Sequence, residues 1–333
     1  MIPLSSHRRF TGVVQLFVRW TGMVFLIACG WLLMDSLWLR YPFIRSGSRC
    51  TIDAKRDRMV RSPMFTTASS KAARLLVCGN SHALCAFVPE QFDRLSLGKV
   101  YSQNLGLPGE KEFLTLLESA IESGNVPTHV FLMIPWSTDQ FSPNIWHWVK
   151  SDSAWADRLF PFRSLPRDFL SFCLSARSHG GIKGFYRYQQ TTADKMIAER
   201  GYHFIARASR FPDHRLPDDF TTVIDDERII GERLVECKGP AFERLKQLSE
   251  IHDFRVYFIP HCVREKNLGE PPPTNPKTVE ALRPFTRFRS LGPDYKRYPN
   301  RLFADELHVN PEGAAVFTEY LWGLTHQEFE PQT

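Results

Sequence analysis

The sequence predicts a three-layer α/β/α domain with a central parallel sheet, preceded by one transmembrane helix. Three observations predict it. Short apolar runs alternate with stretches of helical period from residue 74 to residue 324, the pattern of strands joined by crossover helices. The runs are unbroken rather than alternating, as in "RLLVC" and "VFLMI", which suits strands buried on both faces. Ahead of them, residues 13–39 read VVQLFVRWTGMVFLIACGWLLMDSLWL, longer than the roughly 20 residues a bilayer requires.

Composition narrows the function classes. A chain of 333 residues that is 43% apolar can bury a sizeable core, and 23% charged residues argue against wholesale disorder. The formal charge of +6 is spread along the chain, so no nucleic-acid groove is expected. Only Lys55, Arg56, Arg58 and Arg61 cluster. They follow the hydrophobic segment and read as facing an anionic membrane surface. The seven cysteines include no CxxC pair, which indicates neither a zinc site nor a disulfide framework. Cys78 and Cys85 read as buried apolar fillers. No metal or cofactor is expected.

Residues 1–45 form a short tail and the membrane segment. Trp31, Trp38 and Tyr41 suit an interfacial aromatic belt, and Arg19 lies near enough to one end to snorkel. No small-residue cleavage site follows the apolar core cleanly, so an uncleaved signal anchor is favoured over a cleaved signal peptide. Charge leaves the orientation open, because His7, Arg8, Arg9 and Arg19 are opposed by Arg40, Arg45 and Arg49. Residues 46–71 are polar, basic and Ser/Thr-rich, and read as a linker.

The domain proper spans residues 72–333. It opens with a strand at 74–78 and a helix at 82–95, whose apolar period is Leu84, Val88, Phe92 and Leu95. A strand near 99–102 leads into the turn "NLGLPGE". A helix follows, with Phe113, Leu116, Leu117, Ala120 and Ile121 on one face, stopping at Ser123-Gly124-Asn125. The next strand is 130–134. Between about 137 and 240 the period dissolves and aromatics cluster at Trp146, Trp148, Trp155, Phe160 and Phe162, then at Phe185, Tyr186 and Tyr188. This reads as a long insertion over the functional edge of the sheet, a candidate lid. A helix at 241–251, a strand at 255–259, the loop "PPPTNP" and a last helix at 311–324 complete the pattern. Asn310 is the expected N-cap of that helix, and Pro311 its first residue.

The chemistry gathers around "CGNSH", residues 78–82. A serine hydroxyl is a weak nucleophile until a histidine takes its proton and a carboxylate orients that histidine. Near the other end of the chain, "FADELHVNPEG" carries Asp305 and His308, a spacing that lets carboxylate and imidazole meet. Open α/β sheets hold their sites outside the C-terminal ends of the strands, where both segments are expected. The Ser81 backbone N–H would face a developing oxyanion, and Gly109, or Gly106, could bring a second N–H close to it.

These elements resemble the SGNH (GDSL-like) hydrolase superfamily. Its first block is matched by Gly79-Asn80-Ser81, its N-x-x-x-x-G block by Asn104 through Gly109, and its D-x-x-H block by Asp305 and His308. The resemblance implies a flavodoxin-like sheet, with Ser81 as nucleophile, His308 as general base and Asp305 as its orienter. It also implies an oxyanion hole made by the Ser81 and Gly109 N–H groups. Asn80, His82, Asn104, Trp136, Ser137 and His261 are the residues expected toward the substrate, with Asn80 also suited to bracing its turn. The family's third block normally supplies an asparagine donor, and here that strand runs into "IPWSTDQF" with none. The Pro135-Trp136 pair looks more like membrane-anchored SGNH-like proteins of polysaccharide and teichoic-acid O-acylation. That likeness implies an extracytoplasmic domain on a single-pass anchor, an acyl-ester or glycan substrate, and a membrane-bound O-acyltransferase as partner. It leaves open esterase against O-acyltransferase, and a non-catalytic glycan-binding or scaffold subunit.

Overall fold

A computed structural model describes residues 5–40, 47–66, 68–69, 71–107, 113–133, 165–205, 209–221, 237, 239–265 and 276–330. The chain divides into two compact units, one of residues 1–50 with 145–189 and one of residues 51–144 with 190–333.

The first unit holds helix α1 (Ser5–Arg40), whose stretch Gln15–Leu37 has a mean hydropathy of 1.8 and no burial. It is long and apolar enough to cross a bilayer. The same unit contains most of a helical hairpin described below.

The second unit is built on five parallel strands: β1 (Ala73–Gly79), β2 (Val100–Asn104), β3 (His129–Met133), β4 (Arg255–Phe258) and β6 (Phe288–Ser290). Their order is β2-β1-β3-β4-β6. Register runs Leu76 beside Gln103, Leu75 beside His129, His129 beside Arg255 and Val256 beside Phe288. Between β4 and β6 the chain forms β5 (His261–Arg264), which pairs with β7 (Tyr295–Tyr298) in a separate two-stranded parallel sheet.

Alternation of side chains across each strand divides the core in two. Leu76, Cys78, Val130, Leu132, Val256 and Phe258 pack on one face. There they meet Phe113, Leu116 and Leu117 of α5 (Phe113–Glu122) and Phe242, Leu245 and Leu248 of the later helix Pro240–His252. Leu75, Val77, Phe131, Met133 and Tyr257 pack on the other face, with residues of α3 (Ser81–Ala86), α4 (Pro89–Leu95) and the last helix Pro311–Thr325. Because β2 lies on one side of β1 and all later strands on the other, the C-terminal ends of β1 and β3 flank the point where the winding reverses.

Three expectations need correction. The helix expected over 82–95 is two helices, broken at Phe87-Val88. Pro89 removes a backbone donor and pushes the preceding Val88 into extended conformation, φ −103° and ψ 101°. The stretch expected to be a linker at 46–71 is structured: α2 (Gly47–Ala54) runs into a π-helical turn at Lys55–Met59, and Ile52, Met59, Val60 and Met64 join the core. Asn125 holds this segment, its side chain donating to Val60 O and Ser62 O while accepting from Met64 N–H. Lys55, expected in a surface cluster facing lipid, is instead fully buried.

Within the segment expected as an insertion, helices α6 (Leu165–Ser178) and α7 (Ile182–Ala198) form a hairpin. Its small core is Phe172, Ala176 and Phe185. Trp146, Trp148, Trp155, Phe160 and Phe162 lie outside the described residues. Past α7 the chain returns along the open edge of β2, where Asn104 N–H donates to Arg200 O and the Arg200 guanidinium pairs with Asp93. The remaining helices are α8 (Pro240–His252), α9 (Pro276–Leu282) and α10 (Pro311–Thr325). The Asn310 side chain accepts from Gly313 N–H, as expected of the α10 cap.

Candidate active site

Strand β1 ends at Gly79, packed against the end of β3: a Cβ there would lie 2.5 Å from Met133 O. Only glycine fits, and the chain then turns directly into α3. Asn80 caps that helix, its Oδ1 accepting from His82 N–H at 2.9 Å, so Asn80 braces the turn. Ser81 is the first residue of α3. No acceptor among the described residues meets its backbone N–H.

His308 Nε2 lies 2.8 Å from Ser81 Oγ, and His308 Nδ1 lies 2.8 Å from Asp305 Oδ2. The three side chains thus form one hydrogen-bonded chain across 227 residues of sequence. Asp305 is itself fixed, Oδ1 accepting from the backbone N–H of Leu307 at 2.8 Å and of His308 at 2.7 Å. Burial works to raise the Asp305 carboxyl, but the His308 hydrogen bond and charge, with those backbone donors, outweigh it and hold the group below its ordinary range. An ionised Asp305 accepts a hydrogen bond from Nδ1–H of the imidazole and leaves Nε2 as acceptor for the Ser81 hydroxyl. That is the tautomer a general base needs.

Asn104, expected toward the substrate, is fully buried and faces inward. Its amide donates to Ala83 O and Phe87 O at 2.8 Å each, and its Oδ1 accepts from Gly106 N–H at 2.8 Å. It ties the turn after β2 to the Ser81 helix. Gly106 is wedged against that helix, where a Cβ would meet Leu84 N at 2.3 Å. Its N–H is taken by Asn104 and that of Leu107 by Gly79 O, so neither points at an oxyanion. Gly109, Trp136 and Ser137 lie outside the described residues.

His82 stands beside the triad, its ring centroid 5.5 Å from that of His308 and 4.7 Å from that of His261. His261 is buried at the start of β5 and meets the site through His82. Despite three neighbouring imidazoles, no group of three His, Cys, Asp or Glu among the described residues could hold a metal ion. Cys78 and Cys85 are buried, and burial pushes both thiols up to about 12, which keeps them protonated and inert.

Two positioning residues carry no sequence signal. Lys55 Nζ donates to Asn104 O and Gly106 O, both at 2.7 Å, clamping the backbone of the turn. Burial lowers its pKa well below the usual lysine range, and the amine donates in either charge state. Arg264, equally buried, donates from Nε to Glu306 O inside the Asp305–His308 turn. A polar and basic composition at 46–71 hides Lys55, and a four-residue strand hides Arg264.

The chain matches no protein-family model and no curated protein.

Proposed function

We propose that the protein is a membrane-anchored serine esterase or O-acyltransferase of SGNH type, acting on an acylated glycan outside the cytoplasm. The observation that carries the reading is the Asp305–His308–Ser81 chain, with 2.8 Å at each of its two links. The parallel strand order β2-β1-β3-β4-β6 supports a flavodoxin-like arrangement, and Ser81 follows β1 at the point where the winding reverses. Helix α1 supports the anchor.

Ser81 Oγ attacks the acyl carbonyl carbon while His308 Nε2 takes the hydroxyl proton. The tetrahedral oxyanion forms near the Ser81 N–H, and collapse breaks the ester bond as the proton passes from His308 to the leaving alkoxide. Water or a sugar hydroxyl then attacks acyl-Ser81, giving its proton to His308. Collapse returns that proton to Ser81 Oγ and releases the acid or the new ester.

A second reading, a non-catalytic glycan-binding or scaffold subunit of the same fold, draws on one observation. The N–H groups of Gly106 and Leu107 are both engaged within the fold, and β3 leads into a segment without the family's asparagine. A fluorophosphonate probe separates the two. On the catalytic reading it labels wild type at Ser81 and leaves Ser81→Ala unlabelled. Equal labelling of both proteins, or none of either, refutes it.

A further inference from the structure

Six large apolar side chains stand exposed on the α6–α7 hairpin between residues 169 and 188: Phe169, Leu170, Leu174, Ile182, Tyr186 and Tyr188. In the second unit such residues occur singly and far apart in sequence, as Leu97, Ile251, Val279 and Val316. At 100° per residue, Phe169, Cys173, Leu170 and Leu174 fall within an arc of about 140°. Buried Asp168, Phe172 and Ala176 fall in a separate, adjoining arc of about 80° on the same helix. Helix α6 is therefore apolar on two faces, one against α7 and one turned outward. A soluble domain seldom leaves such a patch uncovered.

Charge and connectivity select what covers it. Arg177, Lys183 and Arg187 accompany the outer face, while the sole acid between residues 168 and 189 is the buried Asp168. An apolar stripe edged with cations suits the boundary between anionic headgroups and acyl chains, where aliphatic and aromatic groups sink and basic side chains reach outward. The hairpin also belongs to the same compact unit as α1, the helix with the length and apolarity of a membrane span.

We propose that the outer face of the α6–α7 hairpin rests on the surface of the bilayer that α1 crosses. Phe169, Leu170, Leu174, Ile182 and Tyr186 enter the headgroup–acyl boundary, with Arg177, Lys183 and Arg187 among the phosphates. The inference rests on the membrane-crossing reading of α1 and is independent of the chemistry at Ser81.

The test uses the full chain in nanodiscs of phosphatidylcholine and phosphatidylglycerol containing a diazirine-bearing phospholipid, with cross-links mapped by mass spectrometry. Label is expected on peptides from 15–37 and 165–189, and not on 240–252 despite the exposed Ile251. The double variant Leu170→Ser, Leu174→Ser is expected to lose most hairpin label while keeping α1 label and the wild-type unfolding temperature, since both side chains are exposed. Removing phosphatidylglycerol is expected to weaken the hairpin label selectively. Label confined to α1 overturns the proposal, as does protein–protein cross-linking of the hairpin without lipid label. Label on neither segment refutes the membrane-crossing reading of α1 and, with it, the proposal.

Discussion

Asn104→Leu removes the amide that joins the turn after β2 to the Ser81 helix while keeping the branching at Cγ. Four bonds go with it: Asn104 Nδ2 to Ala83 O, to Phe87 O and, at 3.4 Å, to Leu84 O, which His203 N–H also meets, and Gly106 N–H to Oδ1. Ala83 O keeps a partner, since Phe87 N–H also donates to it. Phe87 O and Gly106 N–H lose theirs in a region where Phe87, Leu105 and Asn104 are all fully buried. Two orphaned buried groups at about 1–3 kcal/mol each, and one weakened acceptor at about 1 kcal/mol, sum to about 5 kcal/mol. Burial of the added apolar surface offsets about 1 kcal/mol, leaving about 4 kcal/mol. That is a large part of the stability of an ordinary domain. Urea unfolding of the full chain in detergent, followed through the fluorescence of Trp322 against Phe92, reads the loss. At a slope of about 3 kcal/mol per M, the midpoint is expected to fall by more than about 1 M. Asn104→Asp is the companion variant. It keeps an acceptor for Gly106 N–H but sets a carboxylate against the carbonyl oxygens that the amide met, so its loss of stability relative to wild type is expected to be larger at pH 7 than at pH 5. A leucine variant that unfolds at the wild-type midpoint, or an aspartate variant as stable as wild type at pH 7, refutes the assignment of Asn104 as the brace.

Other predictions follow from the same geometry. Gly106→Ala places a methyl 2.3 Å from Leu84 N and 2.8 Å from Ala83 C. Backbone atoms do not yield easily there, so a loss of about 3 kcal/mol or more, or insoluble expression, is expected in thermal unfolding and expression assays. Asp305→Asn keeps an acceptor for the N–H groups of Leu307 and His308 but no longer fixes the imidazole tautomer. Fluorophosphonate labelling of Ser81 is expected to slow roughly a thousandfold with circular dichroism unchanged, and labelling at the wild-type rate refutes the orienting role. His129, half-buried beside Arg255, is lowered from 6.5 to about 4, partial burial being the larger cause. The unfolded chain binds this proton below about 6.5 and the native state only below about 4. The neutral ring therefore contributes its full stability above pH 6.5 and loses about 3 kcal/mol as pH falls to 4. A pH series of unfolding temperatures should fall across that window in wild type and flatten in His129→Phe.

What the sequence made legible follows from how local its signals are. The strands read out because double-sided burial demands unbroken apolar runs, and "LLVC" and "VFLM" are both buried in β1 and β3. Asp305 and His308 read out because a spacing of three fixes their meeting almost independently of the fold. The break at Val88 was available from Pro89, which the apolar period through Leu84, Val88 and Phe92 masked. Asn104 illustrates the opposite limit. An asparagine beside a glycine turn reads as a ligand or a brace with equal ease, and only its burial and four partners decide. Lys55 was beyond reach, because the acceptors that make its burial tolerable are two backbone carbonyls about fifty residues away.

Lys55 also bears on why the site needs more than its triad. Ser81 at the start of α3, the Asp305–His308 turn and the turn after β2 belong to separate short segments, and turns and loops are the less rigid parts of a fold. Each is fastened from outside. Thr318 of α10 accepts from Val88 N–H and donates to Ala86 O, holding the far end of the Ser81 helix. Arg264 holds Glu306 within the Asp305–His308 turn, and Ala304 N–H donates to His308 O across its base. Lys55 and Asn104 both grip the remaining turn, one through its backbone carbonyls and the other through its side-chain amide. A proton relay works only when its heavy atoms stay within hydrogen-bond reach, and loops held this way lose the freedom that would separate them. Of these fasteners Lys55 lies earliest in the chain, on the segment between α1 and β1. The stretch that leads away from α1 is thereby a structural part of the site, so shortening or replacing it as though it were a tether would release the turn against which the Ser81 helix is set.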